Sequence, residues 1–308
     1  MAEQDRSQEI PAPRYEGMLR LAGGRRLGYA EYGPASGRPL LWFHGTPGAR
    51  RQIAPAMRRA AMERGVRLVA VERPGIGDSD PHLYGAVVEW ADDVQALCDA
   101  LEIDRFAVAG LSGGGPYTLA CAHEMPERVV TAVVLGGVAP AVGDEAATGG
   151  TSPLTRLASP LFRMRYFRGG VNMRRLIRML TPLAEPATDL FARFMPPGDQ
   201  KVFEDPAVRA MFHDDIIHGS RRHMHAILGD VALFGRPWGF RVGDIRVPVH
   251  LWYGDADNIV PLTHGEHLAK RIPGAVLRIR PGEGHLGGLG ASEEILDVVL
   301  EPGPWQRA

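Results

Sequence analysis

Between Leu40 and Leu135, short apolar runs alternate with longer stretches in which apolar residues recur every three or four positions. Pro39-Leu-Leu-Trp-Phe43, Arg67-Leu-Val-Ala-Val71, the run from Phe106 to Leu111 and Ala132-Val-Val-Leu135 read as strands covered on both faces. The intervening stretches, about Ala49 to Arg64, Val87 to Leu101 and Tyr117 to Ala122, read as helices. In the second of them Val87, Val88, Ala91, Val94, Leu97, Cys98 and Leu101 share one face. Strand–helix alternation of this kind predicts right-handed βαβ units and a parallel sheet. Ahead of it, Leu19-Arg-Leu21 and Arg26 to Tyr32, separated by Gly23-Gly24, read as an antiparallel hairpin.

After Leu135 the alternation stops. From about Val142 to Arg236 the pattern is helical or looped. One apolar face comes from Leu176, Ile177, Leu180 and Leu183, another from Leu190, Phe191, Phe194 and Met195, and a third from Met224, Ile227, Leu228 and Val231. The α/β pattern returns with a strand at Val247 to Tyr253, a helix near His264 to Lys270, a strand at Ala275 to Ile279 and a helix around Glu293 to Leu300. The expected organisation is one α/β core, residues 15–140 and 241–308, with a helical insert at 141–240 and a flexible tail at 1–14. An insert of about a hundred residues is far longer than a connecting loop.

Composition narrows the class. The chain has 308 residues, enough for one large α/β domain, and 35 basic against 36 acidic side chains, a net charge of −1. That balance offers no electrostatic case for nucleic acid or an anionic membrane. No run approaches the ~20 apolar residues of a membrane span, and Met1 to Pro13 is too polar for a secretory signal. The two cysteines, Cys98 and Cys121, both fall in expected helices and read as buried apolar residues, which fits a cytoplasmic protein. The oligomeric state is open.

Candidate chemistry centres on Gly110-Leu-Ser112-Gly-Gly114, where a buried strand stops and a helix starts. A serine between two glycines at such a turn projects its hydroxyl from a strained backbone, and a Cβ at either glycine would clash with the crowded strand and helix. A serine hydroxyl is a poor nucleophile until a base takes its proton and an acid orients that base. Two later loops, each straight after a buried strand, supply those residue types. The first is Gly254-Asp255-Ala256-Asp257 and the second is Gly282-Glu283-Gly284-His285. With either Asp255 or Asp257 as the acid, the chain order is serine, aspartate, histidine.

Four motifs together carry a family resemblance: His44-Gly45-Thr46-Pro47-Gly48, Arg73-Pro74-Gly75-Ile76-Gly77-Asp78-Ser79, Gly110-Leu-Ser112-Gly-Gly114, and Gly254-Asp-Ala-Asp257 with Gly284-His285. The sequence resembles the α/β-hydrolase fold superfamily over roughly Leu19 to Leu300, apart from the insert. The resemblance implies a mostly parallel central sheet flanked by helices, with a helical cap inserted after the sixth strand. It implies Ser112 as nucleophile, His285 as base and Asp257, the last residue of its Gly-x-x-Asp loop, as acid. It also implies an oxyanion hole from the backbone N–H groups of Gly113 and Thr46, since Pro47 has none to give. On this reading no metal or other cofactor is needed, and the partner is a small-molecule substrate.

Simpler roles stand beside these. Asp255 can shape its turn by an Asx bond, and His44 can serve as a framework donor. His264-x-x-His267 and His223-x-His225 lack the further ligands a metal site needs. Six methionines between Ala141 and Phe240, at positions 164, 173, 179, 195, 211 and 224, suit an adaptable acyl pocket or simply hold the insert helices together. A serine, rather than an aspartate, at the elbow points to acyl transfer. Carboxylesterase ranks first. A proline iminopeptidase-like enzyme, with Glu204-Asp205 or Asp214-Asp215 holding a free amino group, comes second, and a C–C bond or thioester hydrolase follows. A non-catalytic receptor of the same fold would have no need of all three residues.

Overall fold

The computed structural model describes residues 10–147, 166–180 and 195–305. Its centre is an eight-stranded sheet. The strands are β1 (Tyr15–Arg20), β2 (Arg26–Tyr32), β3 (Arg38–Phe43), β4 (Val66–Val71), β5 (Phe106–Leu111), β6 (Val129–Leu135), β7 (Val249–Gly254) and β8 (Val276–Arg280). Their spatial order is β1-β2-β4-β3-β5-β6-β7-β8. β2 runs antiparallel to β1 and β4, and every other pairing is parallel. The expected mostly parallel sheet is therefore present.

Side-chain alternation divides the core into two layers. Leu41, Phe43, Val69, Val71, Phe106 and Val108 face one side. Leu40, Trp42, Leu68, Ala70, Ala107 and Ala109 face the other. A period of two with both faces covered is what an apolar run buried in a sheet must produce. Helices α1 (Pro55–Glu63), α2 (Trp90–Ala100) and α3 (Gly115–Glu124) connect the first parallel strands. α2 and α3 pack together on the first face, and α1 packs on the second. The strand order reverses between β3 and β5, and an open sheet collects its ligands outside the carboxyl ends of such strands.

Two element boundaries differ from the sequence expectation. The helix expected from Ala49 begins at Pro55, because Pro at the first helical position suits a helix start and holds the preceding residue extended. Residues 49–54 instead form a loop bound by side chains from elsewhere. The expected helix from Val87 opens with a 3-10 turn, Val87–Glu89, before α2.

Between β6 and β7 lie helices α4 (Tyr166–Leu180), α5 (Pro197–Glu204), α6 (Pro206–Gly219) and α7 (Ala226–Phe234). The segment is not purely helical. His223–Met224 pairs antiparallel with Ile76–Gly77 of the Arg73–Ser79 motif, and two residues are too few to leave a periodic signature. Leu183, Leu190, Phe191, Phe194 and Met164 lie outside the described residues. Met211 and Met224 are fully buried, Met195 nearly so, and Met179 is exposed. Met195 and Met211 share a cluster with Phe203, Leu286 and Leu289, so they join the insert helices to the loop that carries His285. After β7 come α8 (Leu262–Arg271), close to its expected span, and after β8 α9 (Ser292–Leu300). Among the described residues no helix is long and apolar enough to cross a membrane.

Candidate active site

β5 ends at Leu111, and the next residue turns the chain. Ser112 has φ +51°, the left-handed region that L-residues seldom adopt. A 3-10 turn over Ser112–Gly114 then runs directly into α3. The flanking glycines are sterically required. A Cβ at Gly110 would sit 2.5 Å from the carbonyl oxygen of Gly114 and overlap Thr118, and one at Gly114 would sit 2.9 Å from the carbonyl oxygen of His44.

Three loops converge on this turn. His285, beyond β8, places Nε2 2.8 Å from Ser112 Oγ. Its Nδ1 lies 2.7 Å from Asp257 Oδ2. The other oxygen of Asp257 accepts the N–H groups of Ile259 and Val260, each at 2.8 Å. A carboxylate with one oxygen tied to backbone and the other on an imidazole has no freedom to rotate. Asp257 is fully buried at its side chain and His285 nearly so. Asp255 has a different task. Its Oδ1 accepts the Gly282 N–H at 2.7 Å, joining the acid loop to the histidine loop.

The fourth participant is the loop after β3. β3 pairs with β5 from Leu40 opposite Ala107 to Phe43 opposite Gly110, so His44–Gly48 emerges beside the elbow. A Cβ at Gly113 would overlap the Thr46 hydroxyl and lie 3.3 Å from Thr46 N. The two backbone donors named from sequence are therefore neighbours. Gly45 N–H is already committed to Gln52 Oε1 at 2.6 Å, and Gln52 Nε2 returns to the Pro47 carbonyl at 2.9 Å. The Thr46–Pro47 peptide is cis.

His44 is a framework residue. Its Nε2 accepts the Arg73 N–H at 3.2 Å, and its Nδ1 donates to the Gly45 carbonyl at 2.8 Å. Burial, with the Arg73 cation beside it, holds its pKa well below the ordinary histidine value, so it stays neutral. His264 Nδ1 accepts the Ala139 N–H at 3.0 Å, and His267 Nε2 donates to the Glu145 carbonyl at 2.8 Å. Cys98 and Cys121 are free and buried, and burial lifts the Cys98 thiol to about 12.

Three carboxylates of the insert hold parts of this edge: Asp199 and Asp230 were not identifiable from sequence as site residues, and Asp215, named there as a possible holder of a substrate amino group, binds backbone instead. Asp199 on α5 accepts the N–H groups of His285 and Leu286, each at 2.8 Å. Asp215 on α6 accepts those of Ala49 and Arg51, each at 2.9 Å. Burial raises the pKa of Asp215 to about 7 against the pull of those two N–H groups. Asp230 on α7 reaches Arg73, Thr46 and Tyr117. All three carboxylates are buried, and each holds a loop or helix at the carboxyl edge of the sheet. Their partners lie far away in sequence, so no local motif marks them. Nothing in their own helices distinguishes them from solvated acids.

Known proteins agree with this architecture. The alpha/beta hydrolase fold family model matches residues 38–290. A probable proline iminopeptidase of Streptomyces coelicolor is 28% identical over 292 residues, covering 90% of this chain and 84% of that protein. A 2-hydroxy-6-oxononadienedioate/2-hydroxy-6-oxononatrienedioate hydrolase of Comamonas testosteroni is 27% identical over 265 residues, covering 81% and 82%. Among solved structures, a bromoperoxidase from Bacillus anthracis superposes with a TM-score of 0.69 at 21% identity, covering 93% of this chain and 99% of that one. The sheet order, the elbow and the family match agree, and the chain belongs to the alpha/beta hydrolase fold family.

Proposed function

We propose that the protein is a serine hydrolase that cleaves a small carboxylic ester through an acyl-enzyme, with Ser112, His285 and Asp257 as its catalytic triad. The observation that carries the reading is the unbroken relay from Ser112 Oγ through both ring nitrogens of His285 to Asp257, at 2.8 and 2.7 Å. His285 Nε2 takes the Ser112 proton as Oγ attacks the carbonyl carbon. The resulting oxyanion sits against the N–H groups of Thr46 and Gly113. Each such donor contributes about 3 kcal/mol to the transition state. Collapse expels the leaving group, which takes the proton from His285, and leaves the acyl group on Ser112. Water, deprotonated by the same imidazole, then releases the acid and restores the serine. The described insert helices α4 to α7 act as the cap over this site. The two unpaired buried cysteines fit a cytoplasmic setting.

A second reading, removal of an N-terminal residue from a peptide, is favoured by the 28% identity to a probable proline iminopeptidase. That activity needs acids free to hold a substrate ammonium. The two acidic pairs named from the sequence are otherwise engaged or exposed. Asp205 caps α6 by accepting the Ala207 N–H at 2.8 Å, Asp214 pairs with Arg51 at 3.1 Å, and Asp215 binds two backbone N–H groups. Glu204 is exposed. This favours the ester reading.

The deciding assay compares p-nitrophenyl esters of graded acyl length with prolyl-p-nitroanilide. Turnover of the esters that disappears in Ser112→Ala supports the proposal. Preference for the prolyl amide would replace the ester by the aminopeptidase reading, and failure to hydrolyse either would remove both.

A further inference from the structure

Resting on the serine-hydrolase reading, we propose that Asp230, from helix α7 of the insert, is a positioning residue of the oxyanion hole that acts through Thr46 and Arg73. Its carboxylate is buried and multiply bonded. Oδ2 accepts the Thr46 hydroxyl and Arg73 Nη2, the latter at 2.8 Å, and Oδ1 accepts the Tyr117 hydroxyl at 2.7 Å. Arg73 Nε spans both oxygens at 3.2 and 3.1 Å. Arg73 in turn donates Nη1 to the His44 carbonyl at 2.5 Å and Nη2 to the Gly45 carbonyl and Thr46 hydroxyl, each at 2.9 Å. Three consecutive residues of the oxyanion loop are thus gripped by one ion pair.

The geometry reaches the second donor as well. Tyr117 belongs to α3, the helix that continues from Gly113. One carboxylate therefore bridges the loop that carries the Thr46 N–H and the helix that follows the Gly113 N–H. The spacing of two donors around one oxygen is the quantity an oxyanion hole must hold, and a displacement of about 1 Å costs as much as ~100-fold in rate. Because the Thr46 hydroxyl donates to Asp230, it is committed to holding the loop, and the backbone N–H is the group left to meet substrate. The charge of Arg73 offsets that of Asp230, so no net negative charge stands beside the developing oxyanion.

The test combines Thr46→Val, Thr46→Ser, Asp230→Asn and the Asp230→Asn/Thr46→Val pair. Each is assayed on a p-nitrophenyl ester and for inhibition by an alkylboronic acid, which forms a tetrahedral adduct on serine. Thr46→Val and Asp230→Asn are expected to lower kcat about tenfold or more while KM moves less than about threefold. Boronate affinity should fall in proportion to kcat/KM. Thr46→Ser should retain kcat within about threefold, and the double variant should be no worse than Asp230→Asn, as for groups acting through one contact. Unchanged kcat in a folded variant, a loss confined to KM, or losses that multiply would overturn the proposal. If Asp230→Asn does not fold, the contrast between Thr46→Val and Thr46→Ser decides. Ester turnover surviving in Ser112→Ala would instead remove the underlying reading, a result separable from all of these.

Discussion

Asp199 Oδ2 accepts the backbone N–H of His285 at 2.8 Å, so a helix of the insert grips the peptide of the candidate base. Its second oxygen takes the next N–H, that of Leu286, also at 2.8 Å. A Cβ on Gly284 would collide with this carboxylate, which accounts for the glycine before the histidine. The imidazole is thus held at both ends, by Asp257 at the ring and by Asp199 at the backbone.

Replacing Asp199 by Ala leaves two buried N–H groups without an acceptor. Each costs about 1–3 kcal/mol, so urea denaturation should show roughly 2–6 kcal/mol of lost stability. The histidine loop would also lose its registration on Ser112, and kcat should fall about tenfold or more. Asp199→Asn keeps one acceptor and should lie between Asp199→Ala and wild type on both measurements. Unchanged stability in Asp199→Ala would contradict the structural role.

The two aspartates of the acid loop should separate cleanly. Asp257→Asn removes the acceptor that orients His285 and stabilises its cation, and kcat should drop by about 10⁴. Asp255→Asn affects only a turn contact to Gly282. It should stay within about threefold of wild-type kcat, with about 1 kcal/mol lost from stability. Steady-state kinetics on one ester distinguishes them, and equal losses would show that the acid had been assigned to the wrong residue.

Much of this was legible along the chain. The central strands follow from largely apolar runs, and Ser112 from a glycine-flanked stop in one of them. Asp257 over Asp255 came from the family pattern, since spacing alone left both open. Asp199, Asp230, Gln52 and the backbone-binding task of Asp215 were not legible, for a shared reason. Asp199 and Asp215 accept from backbone N–H groups distant in sequence, which no side-chain motif encodes. Gln52 lay in a stretch that reads as helix until Pro55 restarts it. Asp230 and Arg73 are 157 residues apart and meet only because the insert folds back over the loop after β4. Sequence periodicity reports which face of a helix is apolar, whereas the docking of that helix is a tertiary property.

Acid should act selectively on the contacts beneath the oxyanion loop. Partial burial pushes Glu16 up, but hydrogen bonds from Arg51 and Arg50 outweigh it and hold its pKa at about 2, against an ordinary value of 4.5. A carboxyl depressed on folding stabilises the native state above its unfolded value and loses that stabilisation as pH falls toward its folded value. Glu16→Gln should therefore cost about 1 kcal/mol at pH 7, a figure reduced for the partial exposure of the pair. The gap between variant and wild type should narrow steadily from about pH 5 downward. Thermal melts across pH 3 to 8 would read it, and a gap that widens on acidification would contradict the assignment.

The central claim is that Ser112 forms the covalent bond. Intact-mass measurement after treatment with a fluorophosphonate, followed by peptide mapping, tests it directly. The account predicts one adduct per chain, located on Ser112, absent in Ser112→Ala and formed far more slowly in His285→Ala. An unmodified Ser112 in protein that turns over ester, or an adduct that persists elsewhere in Ser112→Ala along with full activity, would contradict it.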